Sequence, residues 1–216
     1  VATLSAPVVS PVFNRLLTAS TIEEAFTATL KKWFFTYLRE VERQNALPMM
    51  TFPTPVNYTS RNSFDAEKGE PIPKIVVISS GIRGTPRMTG YGQYRAIWTV
   101  GVGVAMGAPD EEEANLLTKG YIAAVKGIIL QNKDLEGLEG VADIIWTDEN
   151  YVDLPITNQV QQYRAGGVFF DVDIEDVVTA RGGPDQPDQI AYDYGQVEEI
   201  FVDVEKVPVT EDVPNN

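Results

Sequence analysis

The 216 residues carry 17 basic and 31 acidic side chains, a formal net charge of −14, with no histidine and no cysteine. That composition excludes thiolate nucleophiles, Cys- or His-ligated zinc, haem on a histidine and the Ser-His-Asp triad, and it removes the usual general base of neutral-pH chemistry. Most of the excess acid lies after Phe170, which disfavours tight non-specific binding to DNA phosphates, and no apolar run approaches the roughly 20 residues of a membrane helix, so no membrane partner is expected.

Residues 1–19 hold two prolines and no clear period, and read as an extended arm. In STIEEAFTATLKKWFFTYLREVERQ, residues Ile22, Phe26, Leu30, Trp33, Phe34, Tyr37, Leu38 and Val41 recur at steps of three and four, which predicts a helix with one apolar face. Ser20 or Thr21 followed by Glu23 or Glu24 predicts a capping box, and Pro48 closes the segment. FPTPVNYTSRNSF holds a short strand after its prolines. IPKIVVISSGI, β-branched and bounded by proline and glycine, predicts a buried strand. RGTPRMTGYGQY is turn-rich and is expected to link it to the next strand, YRAIWTVGVGVAM. There Tyr94, Ala96, Trp98, Val100, Val102, Val104 and Met106 point one way, and Arg95, Ile97, Thr99, Gly101, Gly103 and Ala105 the other.

A second helix is predicted over residues 111–131, with Asp110 as N-cap, Glu113 completing the cap, and Leu117, Tyr121, Ala124, Val125 and Ile128 facing the core. KDLEGLEGVAD is a turn. DIIWTDENYVDL and YRAGGVFFDVDIEDVV are two further strands, the second alternating Val168, Phe170, Val172 and Ile174 against Phe169, Asp171, Asp173 and Glu175. RGGPDQPDQ reads as a linker, and EEIFVDVEKVPV as a last strand-like piece that could add to a neighbour's sheet. The expected fold is α+β: a mixed, mainly antiparallel sheet of about four strands with two helices packed on one face, plus extended N- and C-terminal arms. The expected division is an arm at 1–19, a domain at 20–181 and an acidic extension at 182–216.

The stretch WTVGVGVAMGAPDEEEANLL places Gly101, Gly103 and Gly107 between a strand and a helix, where a phosphate loop would stand. Their spacing misses the dinucleotide pattern by one residue, no Walker lysine follows, and Asp110, Glu111, Glu112 and Glu113 repel phosphate from the helix start. The simpler reading is a bare strand face that a helix or a neighbouring subunit approaches closely. The acids Asp148, Glu149 and Asp153, and Asp171, Asp173, Glu175 and Asp176, contain pairs suited to glycoside hydrolysis or Mg2+ binding, but the alternation of the second group is that of a half-exposed strand. Ser79 and Ser80 lack the glycine that precedes a nucleophile elbow and have no histidine to activate them. Trp33, Phe34, Trp98 and Trp146 sit at core spacing. No catalytic, cofactor-binding or metal-binding residues are expected, no cofactor is implied, and the chain is not expected to be an enzyme. Three surfaces are candidates for interaction: Arg83, Arg87, Tyr91 and Arg95 in the turn-rich segment; Gly101 and Gly103; and Ile200, Val202 and Val204 in the tail.

The succession TIEEAFTATLKKWFFTYLREVERQ, PKIVVISSG, the long strand running into an acidic-capped helix, ADIIWTDENYVDL and QYRAGGVFFDVDI resembles the tail terminator (tail completion) proteins of long-tailed bacteriophages, over residues 20 to about 178. The proline-bearing N-terminal arm and the acidic C-terminal tail depart from that pattern. The resemblance implies a structural virion protein at the head-tail junction, present in the host cytoplasm during assembly. It implies a homo-oligomeric ring, a hexamer, that caps the tail tube protein, ends tube polymerisation and joins the head completion (stopper) protein. DNA would pass through the ring without specific binding, and an acidic lumen would let it slide. The alternatives are another head-tail connector or tube protein, or a carboxylate-based metal-dependent hydrolase.

Overall fold

A computed structural model describes residues 13–60, 72–90, 93–154 and 162–180. The elements run β1 (Phe13–Leu16), α1 (Ala19–Gln44), β2 (Asn57–Thr59), β3 (Lys74–Gly90), β4 (Gln93–Ala108), α2 (Glu111–Gln131), β5 (Val141–Asp153) and β6 (Gln162–Ala180). One sheet has the order β1-β6-β4-β3-β2, with β5 also paired to β6. Pairing is antiparallel throughout except between β2 and β3. β5 follows β6 along Arg164–Ile174 and β1 follows it along Val178–Ala180, so both occupy the same edge, end to end. The fold is α+β as expected, but with six strands among the described residues rather than about four. Of the extra pieces, β2 is the short strand expected in FPTPVNYTSRNSF, and β1, four residues long, is too short to show a period.

Both helices cover one face of the sheet. The even-numbered residues of β4, from Ala96 to Met106, are buried there, as are Val168, Phe170, Val172 and Ile174 of β6. The helices supply Ile22, Phe26, Leu30, Phe34 and Leu38 from α1, and Leu117, Tyr121, Ala124, Val125 and Ile128 from α2. Aromatic rings bridge the layers, with Phe26 and Phe170 centroids 6.0 Å apart and Phe34 and Tyr121 5.5 Å apart. Each such burial contributes about 1.5–3 kcal/mol. Gly120 matters here: a Cβ on it would run into the buried Phe52 ring, so its absence lets the chain after α1 pack against α2.

Three expectations fail. Thr18, not Ser20 or Thr21, caps α1, its hydroxyl accepting from the Thr21 N–H at 3.3 Å. Glu23 is thereby free of the cap and instead accepts from the Ser79 N–H at 2.7 Å, tying α1 to β3. The segment RGTPRMTGYGQY is mostly not a turn. β3 runs on to Gly90, paired with β4 as Arg87 with Arg95 and Met88 with Tyr94. Its glycines serve bulges, with Gly81 at φ 102° and Gly84 at φ 75° flanking the register shifts, so the turn signals are those of a kinked edge strand. Finally, Trp146 is 46% exposed rather than core. It stands on edge strand β5, with the Lys126 ammonium 4.5 Å from its ring centroid and its indole N–H donating to the Asp148 carbonyl at 3.0 Å. The predicted cap of α2 is present, Asp110 accepting from the Glu113 N–H at 2.8 Å.

Candidate functional site: the open sheet face

The face away from the helices presents the odd-numbered residues of β4. In the ladder, Gly101 lies between Ile78 of β3 and Phe169 of β6, and Gly103 lies between Val76 and Gly167. These residues floor an apolar hollow of about 360 Å³, completed by Ala105, Leu154 and Ala165. That is at the lower end of the range for ligand clefts, about 300–1,000 Å³. The two glycines act differently. A Cβ on Gly101 would stand 3.0 Å from Phe169 Cε1, so the ring of the chain's own β6 closes over it. Among the described residues a Cβ on Gly103 would meet nothing nearer than Val76 Cβ at 3.6 Å, an ordinary contact. Helix packing, one of the two approaches expected at these glycines, occurs on the other face. Gly107 lies outside the hollow, with Ile72 and Tyr163 packed where its Cβ would be.

Beyond Thr99 the face turns charged. Arg83 donates to Asp171 at 2.6 Å, and Thr99 donates to the same carboxylate at 2.9 Å. Arg95 grips Asp173 with two bonds, 2.8 and 2.6 Å, and reaches Glu175 at 3.1 Å. The hydrogen bond and charge of Asp173 raise the Arg95 pKa. Two-pronged arginine-carboxylate pairs of this kind hold geometry better than single surface pairs, which contribute at most about 1 kcal/mol. Arg87 stands directly across the ladder from Arg95 and has no ion-pair partner among the described residues. The arginine cluster read from the sequence is thus largely matched by carboxylates three strand positions deep on β6. Tyr91, Ile200, Val202 and Val204 lie outside the described residues.

The other acid cluster is spread out. Glu149 is paired with Lys126 at 2.6 Å and accepts from the Tyr151 hydroxyl. Burial pushes the Glu149 pKa up, but its bonds from Lys126 and Tyr151 outweigh that, and the net direction is down. Burial, then the bond to Glu149, raises the Tyr151 pKa. Asp148 accepts from the Glu149 N–H at 2.8 Å, and Asp153 faces Arg164 at 3.4 Å. Among the described residues no three acidic side chains converge as a metal site. The Ser80 hydroxyl donates to the Thr99 carbonyl at 3.3 Å, and the Ser79 hydroxyl accepts from the Gly81 N–H at 3.3 Å.

The hollow itself was not foreseen. Its signal was the run Ala165-Gly166-Gly167 in YRAGGVFF, whose small residues pair with Gly103, Val104 and Ala105. Gly166 turns the other way, towards Ile122 and Thr118 of α2.

No family model matches the chain, and no curated protein matches it. Among solved structures the chain is similar to one described as "Virion of native gene transfer agent (GTA) particle". The identity is 13%, the match covers 62% of this chain and 91% of that chain, and the TM-score is 0.35.

Proposed function

We propose that the chain is a structural virion protein, not an enzyme, that caps a phage tail tube as a homo-oligomeric ring: it ends tube polymerisation and joins the tail to the head connector. The observation that carries this reading is the open sheet face. Two helices seal one side of the sheet, while the other side leaves a bare hollow of glycine, alanine and valine beside a matched patch of arginines and carboxylates. A contiguous apolar surface rimmed by polar groups is the form of a protein-protein contact. The order of the long elements around it, α1, β3, β4, α2, β5 and β6, with the short β1 and β2 added, is the one that resembles tail terminators. Of the carboxylates that a hydrolase would use, Asp171, Asp173, Glu175 and Glu149 are held by Arg83, Arg95 and Lys126, which lends the enzyme reading no support.

The isolated chain is expected to associate weakly and with concentration, because ring closure on a tube end supplies a template that solution lacks. Sedimentation of the full chain over a wide concentration range, followed by negative-stain imaging with and without tail tubes, tests this. Rings with a central channel, favoured by tube ends, are the expected result. A chain that stays monomeric and leaves tube ends uncapped contradicts the proposal.

A further inference from the structure

The two long outer strands of the sheet carry opposite charge. From Lys74 to Gly90, β3 holds Lys74, Arg83 and Arg87 and no acid. From Val141 to Asp153, β5 holds Asp143, Asp148, Glu149 and Asp153 and no base. Each margin also leaves one charge without an ion-pair partner among the described residues. On β3 it is Arg87, which lies directly across from Arg95, whose charge Asp173 and Glu175 already meet. Like charges set opposite each other destabilise a strand pair, so Arg87 gains from a carboxylate brought from outside. On β5 it is Asp148, which accepts from the Glu149 N–H, while Asp143, Glu149 and Asp153 face Lys133, Lys126 and Arg164. The two cannot meet within one chain. They stand on either side of β4 and β6, about 14 Å apart across the sheet. They are level with Arg95 and Gly101 of β4, about 20 Å apart along it. Exposed apolar side chains accompany both: Met88 and Ile97 near Arg87, and Ile145 and Val152 on the strand of Asp148.

We propose that the basic β3 margin of one copy docks on the acidic β5 margin of the next, with Arg87 of the first paired to Asp148 of the second. A second copy is the occupant that the charges select. One repeated contact supplies an anion for Arg87 and a cation for Asp148, and the apolar side chains beside them surround the pair with the mixed surface of a protein-protein contact. A polyanion such as DNA would satisfy Arg87 alone and be repelled along β5. Side chains rather than a shared ladder make the contact. Glu23 takes up the Ser79 N–H, and Pro86 and the register shifts interrupt the outer edge of β3, devices that keep an edge from adding strands. The contact joins two different surfaces, so it is head-to-tail, and repeating it generates a closed ring or an open filament. The inference rests on the ring reading proposed above and deepens it, since it names the contact between neighbouring copies.

Charge reversal tests this in the full chain by sedimentation at low ionic strength, where such a pair is least screened. Arg87→Glu alone and Asp148→Lys alone are each expected to weaken self-association at least about tenfold, because like charges then face each other. An equimolar mixture of the two variants is expected to associate as the parent does, since alternating copies restore opposite charges at every junction. Two misfolded variants do not rescue each other, so recovery on mixing separates a lost contact from a lost fold. Unchanged association in the single variants, no recovery on mixing, or a parent that stays monomeric at the highest concentration reached would each overturn the inference. Imaging of tube ends keeps the two claims apart. Ends capped equally well by the parent and by each single variant leave the ring reading standing without this contact, whereas ends left bare by the parent remove the ring reading itself.

Discussion

Glycine at two positions separates packing from openness. At Gly120 the Phe52 ring occupies the place of a side chain, and Phe52 is fully buried, so it has nowhere to go. Gly120→Ala is expected to cost about 1–3 kcal/mol through overpacking, against a helix-propensity gain of about 1 kcal/mol. Thermal melts should therefore show a lowered midpoint. Gly103→Ala, which meets only ordinary contact, should melt within error of the parent. Glu42 is a third decisive residue. It is 3% exposed, accepts from the Phe52 N–H at 2.8 Å and the Met50 N–H at 3.2 Å, and pairs with Arg39 at 2.9 Å. Glu42→Ala strands a buried guanidinium and two N–H groups, and should cost about 3–5 kcal/mol in denaturant unfolding. Glu42→Gln keeps an acceptor and should cost less. Neither Gly120 nor Glu42 stood out in the sequence, because each depends on the loop after α1 folding back, a contact with no period of its own.

At the scale of elements, the long periodic segments were legible, α2 down to its Asp110 cap and its ends at 111–131, while the start of α1 and the far end of β3 were not. Both helices and the alternation of β4 and β6 follow from steps of 3.6 and two residues, which the core then satisfies residue by residue. Thr18 was missed because Ser20 and Thr21 offer the same chemistry two and three residues later; Thr18→Ala should cost about 1 kcal/mol where Ser20→Ala costs little. The β3 ribbon was missed because bulge glycines and turn glycines look alike in one dimension. The charged end of the open face was half legible: the alternating acids of β6 were read as an outer face, but nothing local says that Arg83 and Arg95 lie across from them. The Lys126–Glu149 pair, which joins α2 to β5, carries a pH signature. A lowered folded pKa means Glu149 binds its proton less readily when folded than when unfolded. Its contribution is present above the ordinary carboxylate value of about 4.3 and is lost as pH falls through the folded value. Unfolding measured from pH 7 down to pH 3 should show Glu149→Gln losing less stability than the parent.

For the whole molecule, charge and architecture bear on the same question. Residues 182–216 hold nine acidic side chains and one lysine, while on the described sheet Arg83 and Arg95 are paired with carboxylates of β6. If the ring forms with acid towards its channel, DNA meets like charge and slides, and raising salt should leave DNA binding as weak as before, since there are no phosphate contacts to screen. A mobility shift on duplex DNA that strengthens as salt is lowered would place basic groups on the channel instead. The most direct measurement of the central claim is the position of a labelled copy of the chain in intact particles, imaged by electron microscopy. The account predicts label at the head-tail junction and nowhere else, with tails of uncontrolled length when the chain is withheld. Label along the tube or on the capsid shell, or tails of normal length without the chain, contradicts it.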